Sequence, residues 1–371
     1  MNNNYHFTIT PLTYLHVGSG DVIEPIKYII KDNKLYYLNQ SNYIKHLVSL
    51  DKKRVYEVLD GSRLNEIAKY FYLKFDPKIS DNWIYNYPVE PSVQQEYLKN
   101  LDSQNNLNEI YQFIRSSMTE YPIIPGSSLK GSIRTAILSK MAQSSRHLPN
   151  SNNKRQVEGE LLKVRGDRDR YDIPNDPFKY FKVSDINIAV DNLAVKKLIN
   201  IKGSSSLPKP DPQKPPMSLE EFTRWQQMNK NKVQQTSEQI DFNLEVVAPT
   251  NSSIGKGRID IHDSFYRANQ TVFEQSAGDL NNLRRLIKLL NEHYKNLLTS
   301  DSAFFNKPEL SLGYKKIVAD FTNLKDNECI IRMGKGAGQH SLMFEYSRQL
   351  PTTRNLIDKT AMGWCKLSFT L

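Results

Sequence analysis

The chain has 371 residues, with 50 Lys+Arg against 40 Asp+Glu and a net charge of +10; at roughly 150 residues per domain this predicts two or three domains and excludes one small module. The surplus points to a polyanionic partner, nucleic acid or an anionic surface, while Cys329 and Cys365 are too few for a disulfide framework or a four-thiolate zinc site. No apolar run approaches the ~18 residues of a membrane span and the first residues carry no signal-peptide pattern, so a soluble, cytoplasmic protein with no membrane partner is expected.

Residues 5–10 alternate Tyr5, Phe7 and Ile9 with polar neighbours, the period of a half-buried strand. After a Gly18-Ser19-Gly20 turn, two β-like runs at 26–30 and 35–38 flank Lys31-Asp-Asn-Lys34, which reads as a hairpin turn. The stretch from about 41 to 120 is mainly helical in pattern, with a break near Pro88–Pro91, and predicts a helical insertion. Leu129, Ile133, Ile137 and Met141 recur every four residues as one buried helical stripe, with Ser127 or Ser128 placed as N-cap. Residues 144–180 are polar and basic and predict a mobile loop.

A strand is expected over 181–190, and the Pro/Ser-rich stretch 203–216 reads as a linker between an N-terminal domain, 1–202, and a C-terminal one, 217–371. Beyond it the pattern predicts a polar helix at 218–235, a strand at 240–247 and a Gly255/Gly257 turn leading into 258–262. There follows a basic amphipathic helix over 281–298, with Leu283, Leu286, Leu290, Tyr294 and Leu297 on one face. Cys329–Met333 reads as a strand running into a glycine loop, and 364–371 as a last strand. Strands and helices mixed in each half suggest two α+β units.

Glycine is scarce here, yet nine of the sixteen fall in four tight clusters, which directs attention to them. In Pro125-Gly126-Ser127-Ser128-Leu129-Lys130-Gly131-Ser132-Ile133-Arg134, small residues enter a helix whose first N–H groups lie at the positive end of its dipole. Lys130 and Arg134, four apart, share a face there, so a phosphate could lie across that end; the plain alternative is a capped amphipathic helix with two solvated cations. Arg332-Met-Gly334-Lys335-Gly336-Ala-Gly338-Gln-His340 is a strand feeding a glycine loop with cations, able to point N–H groups at an anion or equally to be a flexible hairpin. Its G-x-G-x-G spacing does not suit a dinucleotide fold. In Leu15-His16-Val-Gly18-Ser19-Gly20, His16 is a candidate proton donor or phosphate contact, though a lone histidine beside a strand is more often structural. No spacing suits a transition metal or a nucleophile elbow, and no cofactor is expected. Twenty Tyr and fifteen Phe offer stacking surfaces for unpaired bases, without an RNP1-like string.

Together, Leu15–Gly20, Ile124-Pro-Gly-Ser-Ser-Leu-Lys-Gly-Ser-Ile-Arg-Thr135, Val183-Ser-Asp185, Gly334–Gly338 and Gly363-Trp364 resemble the RAMP superfamily of CRISPR-associated proteins. Their order is similar to that in the large RAMP subunit that caps the crRNA 3′ end in type III-A (Csm) effectors. The resemblance implies an α+β fold of two ferredoxin-like (RRM-like) domains with helical and disordered insertions. It also implies a non-catalytic subunit that binds crRNA, stacks on the last backbone RAMP subunit, and serves assembly and 3′-end maturation in antiviral defence through host nucleases that it does not itself contain. Carried over residue by residue, Gly126, Ser127, Ser128, Lys130 and Arg134 match the helix-start motif, and Gly334, Lys335, Gly336 and Gly338 the late loop; Arg332, His16, Gly18, Ser19 and Gly20 complete the expected RNA-binding set. Two other readings are weighed. One is a metal-independent RAMP endoribonuclease processing crRNA through His16 with Tyr14. The other is a backbone RAMP subunit cutting target RNA through a loop Asp and metal, against which the length and insertions speak.

Overall fold

The computed structural model describes residues 2–103, 108–144, 154–164, 173–203, 235–238, 242–269, 282–304, 308–337 and 353–370. The first part of the chain forms β1 (Asn2–Pro11), β2 (Gly18–Ile23), β3 (Tyr28–Lys31), β4 (Lys34–Leu38), α1 (Gln40–Gly61), α2 (Leu64–Lys74), β5 (Trp83–Pro88), α3 (Pro91–Asn100), β6 (Ile110–Phe113) and β7 (Ile123–Ile124). Next come α4 (Gly126–Ser144), α5 (Lys154–Leu161), β8 (Phe181–Val183), β9 (Ile186–Asn187), β10 (Leu193–Gly203), β11 (Gln235–Glu238), β12 (Phe242–Val247) and β13 (Gly255–His262). The remainder is α6 (Asp263–Ala268), α7 (Asn282–Phe304), α8 (Pro308–Thr322), β14 (Glu328–Arg332), β15 (Thr353–Ile357), β16 (Thr360–Ala361) and β17 (Trp364–Phe369).

A five-stranded sheet in the order β14-β17-β1-β13-β8 is antiparallel throughout. With α4 between β1 and β8 and α7 between β13 and β17, four of its strands trace a ferredoxin-like βαββαβ unit, to which β14 adds an edge. A second sheet follows the path β16-β15-β10-β12-β6-β2 and is mixed, because β6 and β12 run parallel. Strands from both sides of 203–216 share each sheet; the predicted linker from 204 on, and the polar helix expected to follow it up to 234, lie outside the described residues.

The helical stripes pack as their periodicity demands: Leu129, Ile133, Ile137 and Met141 of α4 and Leu283, Leu286, Leu290, Tyr294 and Leu297 of α7 are all buried in one large core. In the β3–β4 hairpin, Asp32 and Asn33 both take left-handed φ, +53° and +55°, the twist a two-residue turn between paired strands requires.

Four expectations change. The stretch 41–120 is not all helix: β5 pairs with β4, and β6 enters the second sheet, because Trp83, Tyr85 and Tyr87 alternate along a strand. Against the β3–β4 hairpin, helices α1 and α2 enclose a satellite core of Ile29, Tyr36, Leu38, Tyr43, Leu47, Val55, Phe71 and Phe75. Of the predicted loop over 144–180, the described parts dock: Val157, Leu162, Val164 and Phe178 are buried, and Arg134 of α4 binds Glu158 and Asp176. The strand expected over 181–190 is interrupted, since the Ser184 hydroxyl and backbone bond Arg258 and Asp185 turns to the start of α4.

The fourth change concerns Gly255 and Gly257, which lie within β13 rather than in a turn before it. Gly257 is opposite Phe7 in the β1–β13 register, and a Cβ there would overlap the Phe7 ring, so this glycine is what lets the ring cross the neighbouring strand. Gly257→Ala is therefore expected to cost about 1–3 kcal/mol through overpacking, read as a lower midpoint in urea unfolding; an unchanged midpoint would mean the Phe7 ring has room to move aside.

Candidate nucleic-acid interface

The glycine motifs, remote in sequence, meet through backbone hydrogen bonds. The loop after β14 folds onto the segment before β2: the Lys335 N–H donates to the His16 carbonyl at 2.8 Å, and Gly334, with φ +76°, passes so close that a Cβ would overlap that carbonyl. Gly363, with φ +91°, donates its N–H to the Tyr14 carbonyl at 2.9 Å and accepts from the Met333 N–H at 2.9 Å. Helix α4 joins through Ser132, whose hydroxyl donates to the Arg332 carbonyl at 3.0 Å. The start of α4 is tied in from the other side, because the Val17 carbonyl accepts from the Ile114 N–H at 2.8 Å and the Ile114 carbonyl accepts from the Ile123 N–H at 3.1 Å.

The expected site residues divide into a surface set and an internal set. Gly18, Ser19, Gly20 and Ser127 are exposed, and Ser128, Lys130, Gly334, Lys335 and Gly336 are half-buried. Between Gly18, opposite Phe113, and Val22, opposite Tyr111, the β2–β6 register shifts, so Ser19, Gly20 and Asp21 stand out of the ladder as a bulge with Gly20 at φ +94°. Burial draws the Lys130 pKa below the usual lysine range, with Asp176 opposing and Arg134 adding to the shift. Among the described residues its ammonium makes no ion pair.

The internal set corrects the sequence reading. Gly126 is buried where a Cβ would overlap the Val183 carbonyl, and its N–H donates to Asp185 Oδ1 at 2.7 Å, so a carboxylate of the chain itself stands where a phosphate was expected. Arg134 is engaged by Asp176 at 2.7 Å and Glu158 at 3.1 Å, with its guanidinium 4.6 Å from the Phe178 ring centre. Arg332 is fully buried, because β14 is covered on both faces; its Nε donates to the Met362 carbonyl at 3.1 Å and its guanidinium packs on Trp364. His16 is buried too: Nδ1 lies 2.7 Å from the Glu245 carbonyl, which can only accept, so Nδ1 carries the proton. The proton-transfer pair suggested by the sequence is split, since the Tyr14 hydroxyl donates to Asp358 at 2.7 Å. Gly338 and His340 lie outside the described residues.

Two features of the site were not anticipated. Glu245, fully buried in β12, accepts from the Tyr87 hydroxyl, from Arg115 at 2.6 Å and from the Phe113 N–H at 2.8 Å. Burial pushes its carboxyl pKa up, against the pull of Arg115. A glutamate isolated among Phe242, Leu244, Val246 and Val247 was the available signal, since a charge in an apolar strand must find a partner. The second feature is the ammonium of Lys335, 5.8 Å from the ring centres of both Tyr111 and Phe242.

Burial drives the His16 pKa down to about 4. The folded state therefore resists protonation that the unfolded chain accepts near 6.5. Stability present at pH 7 declines as pH falls through 6.5 toward 4, by about 2 kcal/mol at pH 5 from this group. His16→Asn, which keeps a donor toward Glu245, is expected to flatten the fall in unfolding free energy between pH 7 and 5; an equally steep fall would place the titration elsewhere.

The family model of the RAMP superfamily matches residues 8–298. The chain is 27% identical over 150 residues to the CRISPR system Cms protein Csm5 of Streptococcus thermophilus, a stretch covering 37% of this chain and 40% of that protein. It is 23% identical over 352 residues to the protein of the same name from Methanocaldococcus jannaschii, covering 88% of this chain and 69% of that one. Among solved structures it is similar to a chain of a Csm–crRNA–target RNA ternary complex of a type III-A CRISPR–Cas system, with TM-score 0.62, 18% identity and coverage of 99% and 100%. It is likewise similar to T. onnurineus Csm5, with TM-score 0.62, 18% identity and coverage of 96% and 99%. These structural likenesses speak to the fold. No helix among the described residues is long and apolar enough to cross a membrane.

Proposed function

The chain belongs to the RAMP superfamily, and from that premise we propose that it is a crRNA-binding subunit of a type III-A effector ribonucleoprotein. In this reading it packs on the neighbouring backbone RAMP subunit at the crRNA 3′ end and serves assembly and 3′-end maturation, the trimming itself falling to host nucleases. The observation that carries the reading is the convergence of the exposed Ser19–Asp21 bulge, the Gly334–Gly336 loop and the first turns of α4, with Lys130 and Lys335 the cations beside them. Relatives named Csm5, and the likeness to a chain of a Csm–crRNA–target RNA complex, favour guide RNA as the polyanion.

Gly131 adds a separate argument. It is exposed inside α4 with nothing within 4 Å of where a Cβ would stand. A glycine there costs the helix about 1 kcal/mol relative to alanine and gains the free chain no packing. Open space beside Lys130 on this face suits a sugar–phosphate backbone lying close to the helix. A binding role is also favoured over an endoribonuclease, because His16 is buried, neutral at pH 7 and bonded away from Tyr14.

Lys130→Gln and Lys335→Gln are each expected to lower single-strand RNA affinity and to reduce the slope of log K against log salt by roughly 0.7, the value for one phosphate contact on a single strand. Arg134→Gln is expected to lower stability rather than that slope, since its charge is answered within the chain. Slopes unchanged in both lysine variants would overturn the proposed interface.

A further inference from the structure

Tyr111 of β6 and Phe242 of β12 come from neighbouring parallel strands, and their rings meet edge to face, 5.3 Å between centres at 89°. Perpendicular rings make a two-walled corner. The inner sides of both pack on the small apolar cluster of Ala194, Leu198, Leu244, Val246, Ile357 and Met362, so the walls are supported, and both residues keep part of their surface in solvent. The Lys335 ammonium stands 5.8 Å from both ring centres, bridging the corner. Val22 pairs opposite Tyr111, which puts the exposed Ser19–Asp21 bulge directly beside the same wall.

We propose that this corner is a seat for one unpaired nucleobase, with Lys335 as the cation for the phosphate next to it. The inference rests on the RNA-binding reading above and deepens it by naming where a base, as opposed to the backbone, is held. A planar base can stack on one ring while the other ring's wall fixes its edge, and every base has a π-face, so the seat is tolerant of sequence. Lys335 exchanges a cation–π contact, which is weak, for an ion pair with phosphate, which is stronger. The same ammonium excludes the competing guests of an aromatic corner, lysine or arginine side chains of a protein partner, by like charge.

The test measures binding of the full-length chain, by fluorescence anisotropy, to a single-stranded RNA of about a dozen nucleotides and to an all-abasic ribose-phosphate strand of the same length. Tyr111→Leu and Phe242→Leu keep the apolar cluster covered but remove the stacking face, and circular dichroism melts check that they fold. The wild-type chain is expected to prefer the base-bearing strand, and each leucine variant to lose at least about 5-fold of that preference, the size of one stacked base, while holding the abasic strand as before. Tyr111→Trp is expected to retain the preference. Leucine variants that fold and bind intact RNA as tightly as wild type, or that lose both strands equally, would overturn the seat while leaving the RNA-binding reading in place. A wild-type chain that binds neither strand would overturn both.

Discussion

The buried carboxylate of Glu245 is the fixed point at which the mixed sheet, β5 and the segment leading into the glycine bulge meet. Its side chain takes the Tyr87 hydroxyl from β5, the Arg115 guanidinium from the segment after β6 and the Phe113 N–H from β6, and its own carbonyl receives the His16 imidazole. Burying one charge without a partner costs several kcal/mol, so the arrangement is stable only when all these groups arrive together. Arg115 is further confined by the Tyr85 ring, 5.1 Å from its guanidinium. A network of this kind contributes little net energy compared with an apolar core, but it allows one geometry: His16 in place sets Gly18 and the bulge, and the His16 carbonyl sets Lys335.

Close backbone approach does the rest. Gly334 against the His16 carbonyl, Gly363 against the Met333 carbonyl and Gly126 against the Val183 carbonyl are contacts no larger residue permits. The first two bring segments distant in the chain into backbone hydrogen bonds and the third lets the Gly126 N–H reach the Asp185 carboxylate, so the exposed glycine bulge and loop are held by rigid elements rather than left to order around a ligand. The polar groups that meet RNA in the proposed interface are thus few: the bulge, one loop and two lysines.

Much of this was legible in the sequence. The stripes of α4 and α7 and the Asp32-Asn33 turn follow from periodicity and turn chemistry, and the clustered glycines pointed to segments that do meet. What was not legible is where charges go. Arg134, Arg332 and His16 look like surface contacts when seen beside glycines, yet each is claimed by a partner far away in sequence, Asp176 and Glu158, the Met362 carbonyl, and the Glu245 carbonyl. Strands β5 and β6 were hidden because aromatic residues serve helix and strand patterns alike, and only pairing with β4 and β12 decides between them. Gly255 and Gly257 looked like a turn because the demand for a glycine under the Phe7 ring is tertiary.

The surplus of +10 is likewise spread unevenly. Exposed cations also occur on the outer face of the five-stranded sheet, at Lys182, Lys256 and Arg258, and along α7, at Arg284, Lys288 and Lys295. Photocrosslinking of the full chain to single-stranded RNA carrying 4-thiouridine, with the modified peptides located by mass spectrometry, separates these surfaces directly. Crosslinks are expected within 18–21, 127–131 and 335–336 and at the base seat of Tyr111 and Phe242; crosslinks confined to the outer sheet face or to α7 would overturn the proposed interface.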